Sequence, residues 1–376
     1  MDPGSGALTG LSHRALRAHH TNVERQAQDE TRDAGRSGDP DEDGPEVEQE
    51  LFLQQLETGT VPCRTLADLR REICSARRAA VDAAAGAGAA AVAVAVPVLV
   101  DEQADVTPKA RYEEMVQRFG DVARQAMTCG MHVHVDVDSD DEAVAVLDRI
   151  RPWLPVLLGL SANSPFYQGA DTGYESWRSQ MWTRWPSAGQ VEPFGSAAGY
   201  SAAVEDLIAS GAAMDRGMLY FDARPAVSYP TLEIRVADVC TDIEDALVVA
   251  VLARGLVETA ARSWRAAEPT GTWRAELLRA ATWRAGRDGL SGELIDPTTR
   301  RPAPAATVVK SLLAHIREAV DDAGETDVLA ELVDQMLSRG TGAARQRGVF
   351  AASGSIRAVV EDLRVRTAES CGRAPG

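Results

Sequence analysis

Basic residues are too few to balance the acids. Lysine and arginine total 39 against 56 aspartate and glutamate, a formal net charge of −17. Nucleic-acid binding rests on basic patches, so a nucleic-acid partner is excluded. An anionic substrate would need local arginines or a metal ion to stand against that field. Cysteine is scarce too. Cys63, Cys74, Cys129, Cys240 and Cys371 are odd in number, scattered and without a CxxC pair, which indicates neither a disulfide framework nor a zinc knuckle. Long apolar runs are missing. Ala89–Val100 is too short to span a bilayer, and its alternation of Ala with Val reads as a buried strand. With no visible signal peptide, no membrane partner is expected and the chain is placed in the reduced cytoplasm. The glycines form neither GxxxxGK(S/T) nor GxGxxG at a strand–helix junction, which argues against a P-loop or Rossmann nucleotide site. No internal repeat is evident.

What is present is enough chain, 376 residues with 45% hydrophobic content, to bury a large core. Residues 1–46 begin with turn-prone DPGSGALTG and a short helix over Ser12–His20. The polar run Gln26–Glu46 reads as disordered. Strands are expected over Glu50–Thr58, Ala89–Val100, Met131–Val137, Met218–Arg224 and Thr231–Asp238. Helices are expected over Thr65–Ala85, Pro108–Met127, Asp140–Leu158 with a proline interruption, and Ala202–Gly211. From Asp242 onward the chain reads as helices, Asp242–Ala266, Trp273–Arg284, Ala306–Ala323, Thr326–Gly340 and Ser355–Thr367, interrupted by the glycine-rich loop Asp288–Pro302. Strands first and helices after them predict an α+β domain with a mostly antiparallel sheet.

Two strands carry the chemistry. In Thr231–Asp238, Leu232, Ile234 and Val236 share one face while Glu233 and Arg235 share the other. In Met131–Val137, Val133, Val135 and Val137 oppose His132, His134 and Asp136. A sheet with its back on the core and its front polar follows. Six histidines occur in the chain and two of them stand in one short strand. An HxH pair is a platform for a divalent metal, and a pair of hydrogen-bonded histidines lining a polar pocket is the alternative. Glu233 and Arg235 read equally as an ion pair, but Tyr220, Asp222 and Arg224 add two more charges to the same face. Glu57, at the end of its strand, is a further candidate ligand or a solvated strand end. Ser161–Pro193 is long, irregular and rich in Gly, Ser, Trp and Arg, the kind of loop that is usually functional. Within it Arg178 and Arg184 lie among Trp177, Trp182 and Trp185, either stacked in a lid or clamping a carboxylate or phosphate. Arg284 and Arg287 before Asp288 are similar.

Four stretches, HVHVDV, LSANSPFYQGADTGYESWRSQMWTRWPSAG, YFDARPAVSYPTLEIRVADVC and WRAGRDGLSGELIDP, occur in this order. Together they resemble the glutamate–cysteine ligase type 2 family, the YbdK-like carboxylate–amine ligases, from about Glu50 to the C-terminus. The resemblance implies a cupped, mostly antiparallel sheet with helices packed on one face, as in glutamine synthetase. It implies ATP and Mg²⁺ as cofactors, and L-glutamate with L-cysteine or another amine as substrates, joined through a gamma-glutamyl phosphate. It assigns magnesium to Glu57, His134 and Glu233, and the phosphates to Arg235 with Arg224 on the same face. Arg178 becomes a substrate-carboxylate clamp and Arg287 a second candidate, counted with the cofactor-binding residues, Arg178 and Arg235 being the catalytic pair. His132 orients its neighbours on the cofactor side. A homodimer is the expected assembly.

Three departures from the family accompany these expectations. The usual first strand, reading like GVEEEF, has no counterpart, so 1–46 is a partly disordered segment lacking it and 47–376 a single ligase-like domain. Val96-Pro97-Val98 stands where a GTHP-type stretch is common, and Asp136 follows HVHV in place of glycine. The first departure leaves two readings: a start lying further upstream, or a catalytically weak or inactive relative that binds a nucleotide or a partner. A metal-dependent hydrolase is set aside, because the only later histidine is His315 in a helical segment.

Overall fold

The computed structural model describes residues 1–21, 47–99 and 104–372. Helix α1 occupies residues 12–21. The expected disordered run Gln26–Glu46 lies outside the described residues. Strands β1 (Val47–Gln49) and β2 (Leu56–Thr58) pair antiparallel with Glu48 opposite Glu57. The single strand expected over Glu50–Thr58 is therefore broken. Leu51 and Phe52 turn into the interior between the two, and Phe52 bridges to Val106. Helix α2 (Leu66–Gly86) starts where the Thr65 hydroxyl accepts the Asp68 N–H, a side-chain cap on an otherwise orphaned donor.

Ala89–Val100 differs from expectation. Its described part, 89–99, bends at 95, 96 and 98 and joins no ladder among the described residues. The Cys129 N–H donates to the Ala95 carbonyl, Gly169 N–H to Val98, and the Thr241 hydroxyl to Ala93. Loops, not a neighbouring strand, satisfy this backbone. Next come α3 (Ala110–Phe119) and α4 (Asp121–Arg124), one expected helix divided at Gly120, whose φ of 57° suits glycine.

Strand β3 (Gly130–Asp136) is followed by α5 (Asp140–Ile150) and α6 (Leu154–Ser161). The long loop contains a small hairpin, β4 (Phe166–Tyr167) and β5 (Ala170–Asp171), and the short helix α7 (Trp177–Trp182). After α8 (Ala197–Ala209) come β6 (Ala223–Pro225) and β7 (Thr231–Asp238). The remainder is helical apart from one hairpin: α9 (Ile243–Arg265), α10 (Ala275–Asp288), β8 (Glu293–Asp296), β9 (Arg301–Pro304), α11 (Ala305–His315), α12 (Arg317–Asp322), α13 (Thr326–Arg339), α14 (Gly342–Ser353) and α15 (Ile356–Glu369).

The fold class is α+β, with every strand pair antiparallel and the described strands gathered in four small sheets. The sheet that matters is three-stranded, in the order β3-β7-β6. Its apolar face carries Leu232, Ile234 and Val236 into a core with Leu147, Leu157, Leu247, Leu312 and Leu332 from α5, α6, α9, α11 and α13, and Val133 and Val135 pack on the same side. Burying three such side chains contributes about 5–9 kcal/mol. A one-residue slip of β7 would forfeit that and bury Glu233 and Arg235 in the core, so the register is firmly set. Among the described residues no helix is long and apolar enough to cross a membrane.

Candidate active site

The register aligns His134 with Glu233 and Glu233 with Arg224. Three chemically active side chains thus form a row across the polar face of the sheet. Between Met131 and Val133 the pairing shifts, so that Arg235 and Val236 of β7 together oppose His132. Such a bulge re-aims side chains and strengthens local twist. Here it swings Arg235 and His132 toward Glu233. The Glu233 Oε1 accepts from Arg235 Nη1 and lies 3.3 Å from His132 Nδ1 and 4.0 Å from His134 Nε2. The other oxygen, Oε2, accepts from Arg224 Nε at 2.7 Å. His134 is held from behind, its Nδ1 2.9 Å from the Thr231 hydroxyl.

Charge and burial divide the roles. Burial alone would raise the Glu233 carboxyl, but the charges of Arg235 and Arg224 outweigh it and hold it below its usual value. Both imidazoles move the other way. Burial first, then the neighbouring arginines, push His132 well below its ordinary pKa, and burial lowers His134 while Glu233 partly opposes the change. At neutral pH the row therefore carries one carboxylate, two guanidinium groups and two neutral imidazoles. Arg224 is fully engaged on one side, its Nη1 donating to the carbonyls of Arg216, Gly217 and Leu219. Arg235 is not. Its Nε–H is buried without a hydrogen-bond partner among the described residues, a costly condition unless an acceptor arrives.

Arg178 is brought to the site from the rear. It is 2% exposed, and its guanidinium donates to the carbonyls of Arg235 and Val236, the two residues of the bulge, at 3.2 and 3.3 Å. It stacks 5.4 Å over Trp182, and Gly130 leaves it room, since a Cβ there would stand 2.3 Å from Nη2. The structure thus spends two of its donors on β7, while its Nε lacks a partner among the described residues. Arg287 is not in the row. It is exposed on the last turn of α10, 5.6 Å over the Tyr174 ring.

Glu57 comes from a different strand pair. Its carboxyl is pushed up to about 7 by desolvation first, then by Glu50 and Glu48, with Arg235 opposing. Arg235 thus links the two clusters. Among the described residues no group of three or more His, Cys, Asp or Glu side chains is arranged to hold a metal ion, and both oxygens of Glu233 are already taken by arginines. The hard oxygen donors of Glu57 and Glu50 are the chemistry that a magnesium ion prefers. Because its folded pKa lies above that of a free glutamate, ionised Glu57 disfavours the folded state. The stability tied to its neutral form is full at acid pH and is lost as pH rises through about 7. Glu57→Gln should therefore raise the melting temperature at pH 8 and change it little at pH 5. An equal shift at both pH values in thermal melts would refute the assignment.

Two participants escaped the sequence reading. Thr231 fixes the His134 ring, and Asp238, completely buried, ties the long loop to the end of β7 through Ser164, Ser176 and Asn163. Both lie inside the stretch already singled out, and a hydroxyl or carboxylate at a strand end was the available signal.

Known proteins share this chain's pattern. The profile of the family described as glutamate-cysteine ligase family 2 matches residues 12–362. A protein of Frankia alni named "Putative glutamate--cysteine ligase 2-2" is 50% identical over 318 residues, covering 84% of this chain and 82% of that one. One of a Nocardioides species, named "Putative glutamate--cysteine ligase 2-1", is 50% identical over 328 residues, covering 86% and 85%. A third, of Streptomyces avermitilis and with the same name as the second, is 49% identical over 325 residues, covering 86% and 89%.

Proposed function

The chain belongs to glutamate-cysteine ligase family 2, and from that membership we propose that it is a carboxylate–amine ligase driven by ATP. It would join the side-chain carboxylate of L-glutamate to the amine of L-cysteine or a related acceptor. The observation that carries this reading is the unpartnered, buried Nε–H of Arg235 beside a guanidinium–carboxylate row on an acidic protein. A carboxylate and a triphosphate repel each other, and these arginines are cations placed where the two could meet. ATP supplies the phosphoryl group, and gamma-glutamyl phosphate is the activated acyl donor in this proposal. Magnesium would be held from Glu57, with Glu50 beside it, where it would bring the Glu57 proton off and screen the phosphate charge.

The chain's own groups then have distinct tasks. Arg235 offers its free donor to the transferring phosphoryl group. Glu233 keeps Arg235 and Arg224 side by side despite their like charge. Arg178, behind the bulge, fixes the backbone from which Arg235 projects. His134 is neutral and partly exposed, with Nδ1 fixed by Thr231. Its ring can take the proton that the acceptor ammonium must lose before attack.

Phosphate release tests this reading. With ATP, Mg²⁺ and L-glutamate present, release should depend on adding L-cysteine or another amine, and a gamma-glutamyl amide should accumulate in equal amount. Absence of release with every acceptor tried, while nucleotide still binds, would instead make the chain a nucleotide-binding relative without turnover.

A further inference from the structure

Two thiols that the ligase chemistry leaves unused lie together. Cys74 is on α2, Cys371 lies just beyond α15, and 297 positions separate them along the chain. The Cys371 Sγ is 3.7 Å from the Cys74 carbonyl oxygen. The Arg78 guanidinium, one turn along α2, donates to the Cys371 carbonyl at 3.5 Å. Both cysteines are half-buried, open enough for a small reagent to reach. Arg77, between them in the sequence of α2, donates to the carbonyls of Cys240 and Thr241, so the helix face beneath the pair is anchored to the end of β7.

We propose that Cys74 and Cys371 form a redox-responsive dithiol that a peroxide converts to a disulfide, fastening the end of the chain to α2. The Cys371 thiol already reaches the backbone of Cys74, and the residue that must move lies past the last turn of α15, where rotation of its side chain brings the two sulfurs to the geometry of the bond. The steps balance. The Cys371 thiolate attacks one peroxide oxygen, the O–O bond breaks, and water leaves after protonation, with Cys371 as sulfenic acid. The Cys74 sulfur then attacks that sulfur, expelling a second water and forming S–S. In sum two thiols and one peroxide give one disulfide and two waters. The order follows from the surroundings. Burial first, then the neighbouring Cys371, pushes the Cys74 thiol up to about 12, while Arg78 and Arg70 oppose. Cys74 is thus held as a thiol and is not the first to react. Once Cys371 is a sulfenic acid its sulfur is the electrophile, and Cys74 beside it acts as the resolving sulfur.

Treatment of the full-length protein with hydrogen peroxide, quenching by alkylation and peptide mass mapping tests this. The expected product is one cross-linked pair of peptides containing Cys74 and Cys371, lighter by two hydrogens, with Cys63, Cys129 and Cys240 still alkylated. Thermal melting should rise on oxidation, and the rise should revert with a dithiol reductant. Cys371→Ser and Cys74→Ser should each abolish the cross-link and the shift without lowering the melting temperature of the reduced protein by more than a few degrees. Separate oxidation of the two thiols to sulfinic acids, or cross-linking to a different cysteine, would overturn the proposal. Comparable cross-linking in urea would do so as well, because it would show that the fold contributes nothing. The outcome is independent of ligase turnover.

Discussion

Glu233→Gln is expected to lower ligase turnover by roughly 10²–10³-fold, the range seen when one preorganised polar group is removed from an active site. The reason is geometric as much as electrostatic. Among the described residues Glu233 is the only carboxylate in contact with both Arg235 and Arg224, and it is 4% exposed. Glutamine keeps the shape but turns one oxygen into an NH₂ group. That donor must then face an arginine donor, whichever way the amide is placed. Two buried guanidinium charges lose their counter-charge, and breaking a buried pair in this way costs about 3–5 kcal/mol. Arg235 should swing away from the phosphoryl position, and the histidines lose the one anion beside them. Steady-state kinetics should show the loss mainly in kcat, and urea titration should show the lower stability. Turnover within tenfold of the parent would mean that the row is structural and that the reactants meet elsewhere. The parent pair has a pH signature too. Since arginines hold the Glu233 carboxyl below its ordinary pKa, its contribution to stability is present above the pKa of a free glutamate. It is lost only as pH falls through the lower folded value. Glu233→Gln should remove that acid limb.

How much of this could be read from the chain depends on the range over which each feature is determined. The faces of β3 and β7 were legible, because alternation is a local property and Val133, Val135, Leu232, Ile234 and Val236 do point into the core. The pairing of His134 with Glu233 was not, since it joins residues about a hundred positions apart and is set by packing against α5, α6 and α9. The bulge at Arg235 and Val236 leaves no mark in the pattern of apolar residues. Arg178 shows the same limit: its aromatic neighbours were visible, but only the fold reveals carbonyls as the partners of its guanidinium. Ala89–Val100 misled because alternation marks a strand only when a neighbour supplies the ladder, and here loops do. Helix α14 was missed because GAARQRGVFAAS has small and polar residues scattered around every side. Its buried residues, Gly342, Ala343 and Gln346, form no stripe of large apolar groups.

Asp238→Ala should be among the most destabilising single changes in this protein, about 3–5 kcal/mol by the measure for removing one partner from a buried charged network. Its carboxylate is wholly buried. Oδ1 accepts from the Ser176 hydroxyl at 2.8 Å, and Oδ2 accepts from the Asn163 N–H at 2.9 Å and the Ser164 hydroxyl at 2.7 Å. The Arg178 Nη1 stands 3.8 Å away. Burial pushes this carboxyl above its usual range, and Arg178 with these donors opposes the rise, so the group sits among partners that alanine would leave unmatched. Asp238→Asn should cost less, since one oxygen remains, yet its NH₂ group must then meet a donor. Activity should fall along with stability. The same carboxylate ties Asn163, Ser164 and Ser176 of the long loop to β7, and Arg178 spans from it to the bulge that aims Arg235. Urea midpoints and turnover measured on the same samples separate the two effects. A midpoint shift worth less than about 1 kcal/mol, the net value of one ordinary hydrogen bond, would show that the loop is held by its apolar contacts instead. Full stability with lost turnover would place Asp238 in the aim of Arg235 alone.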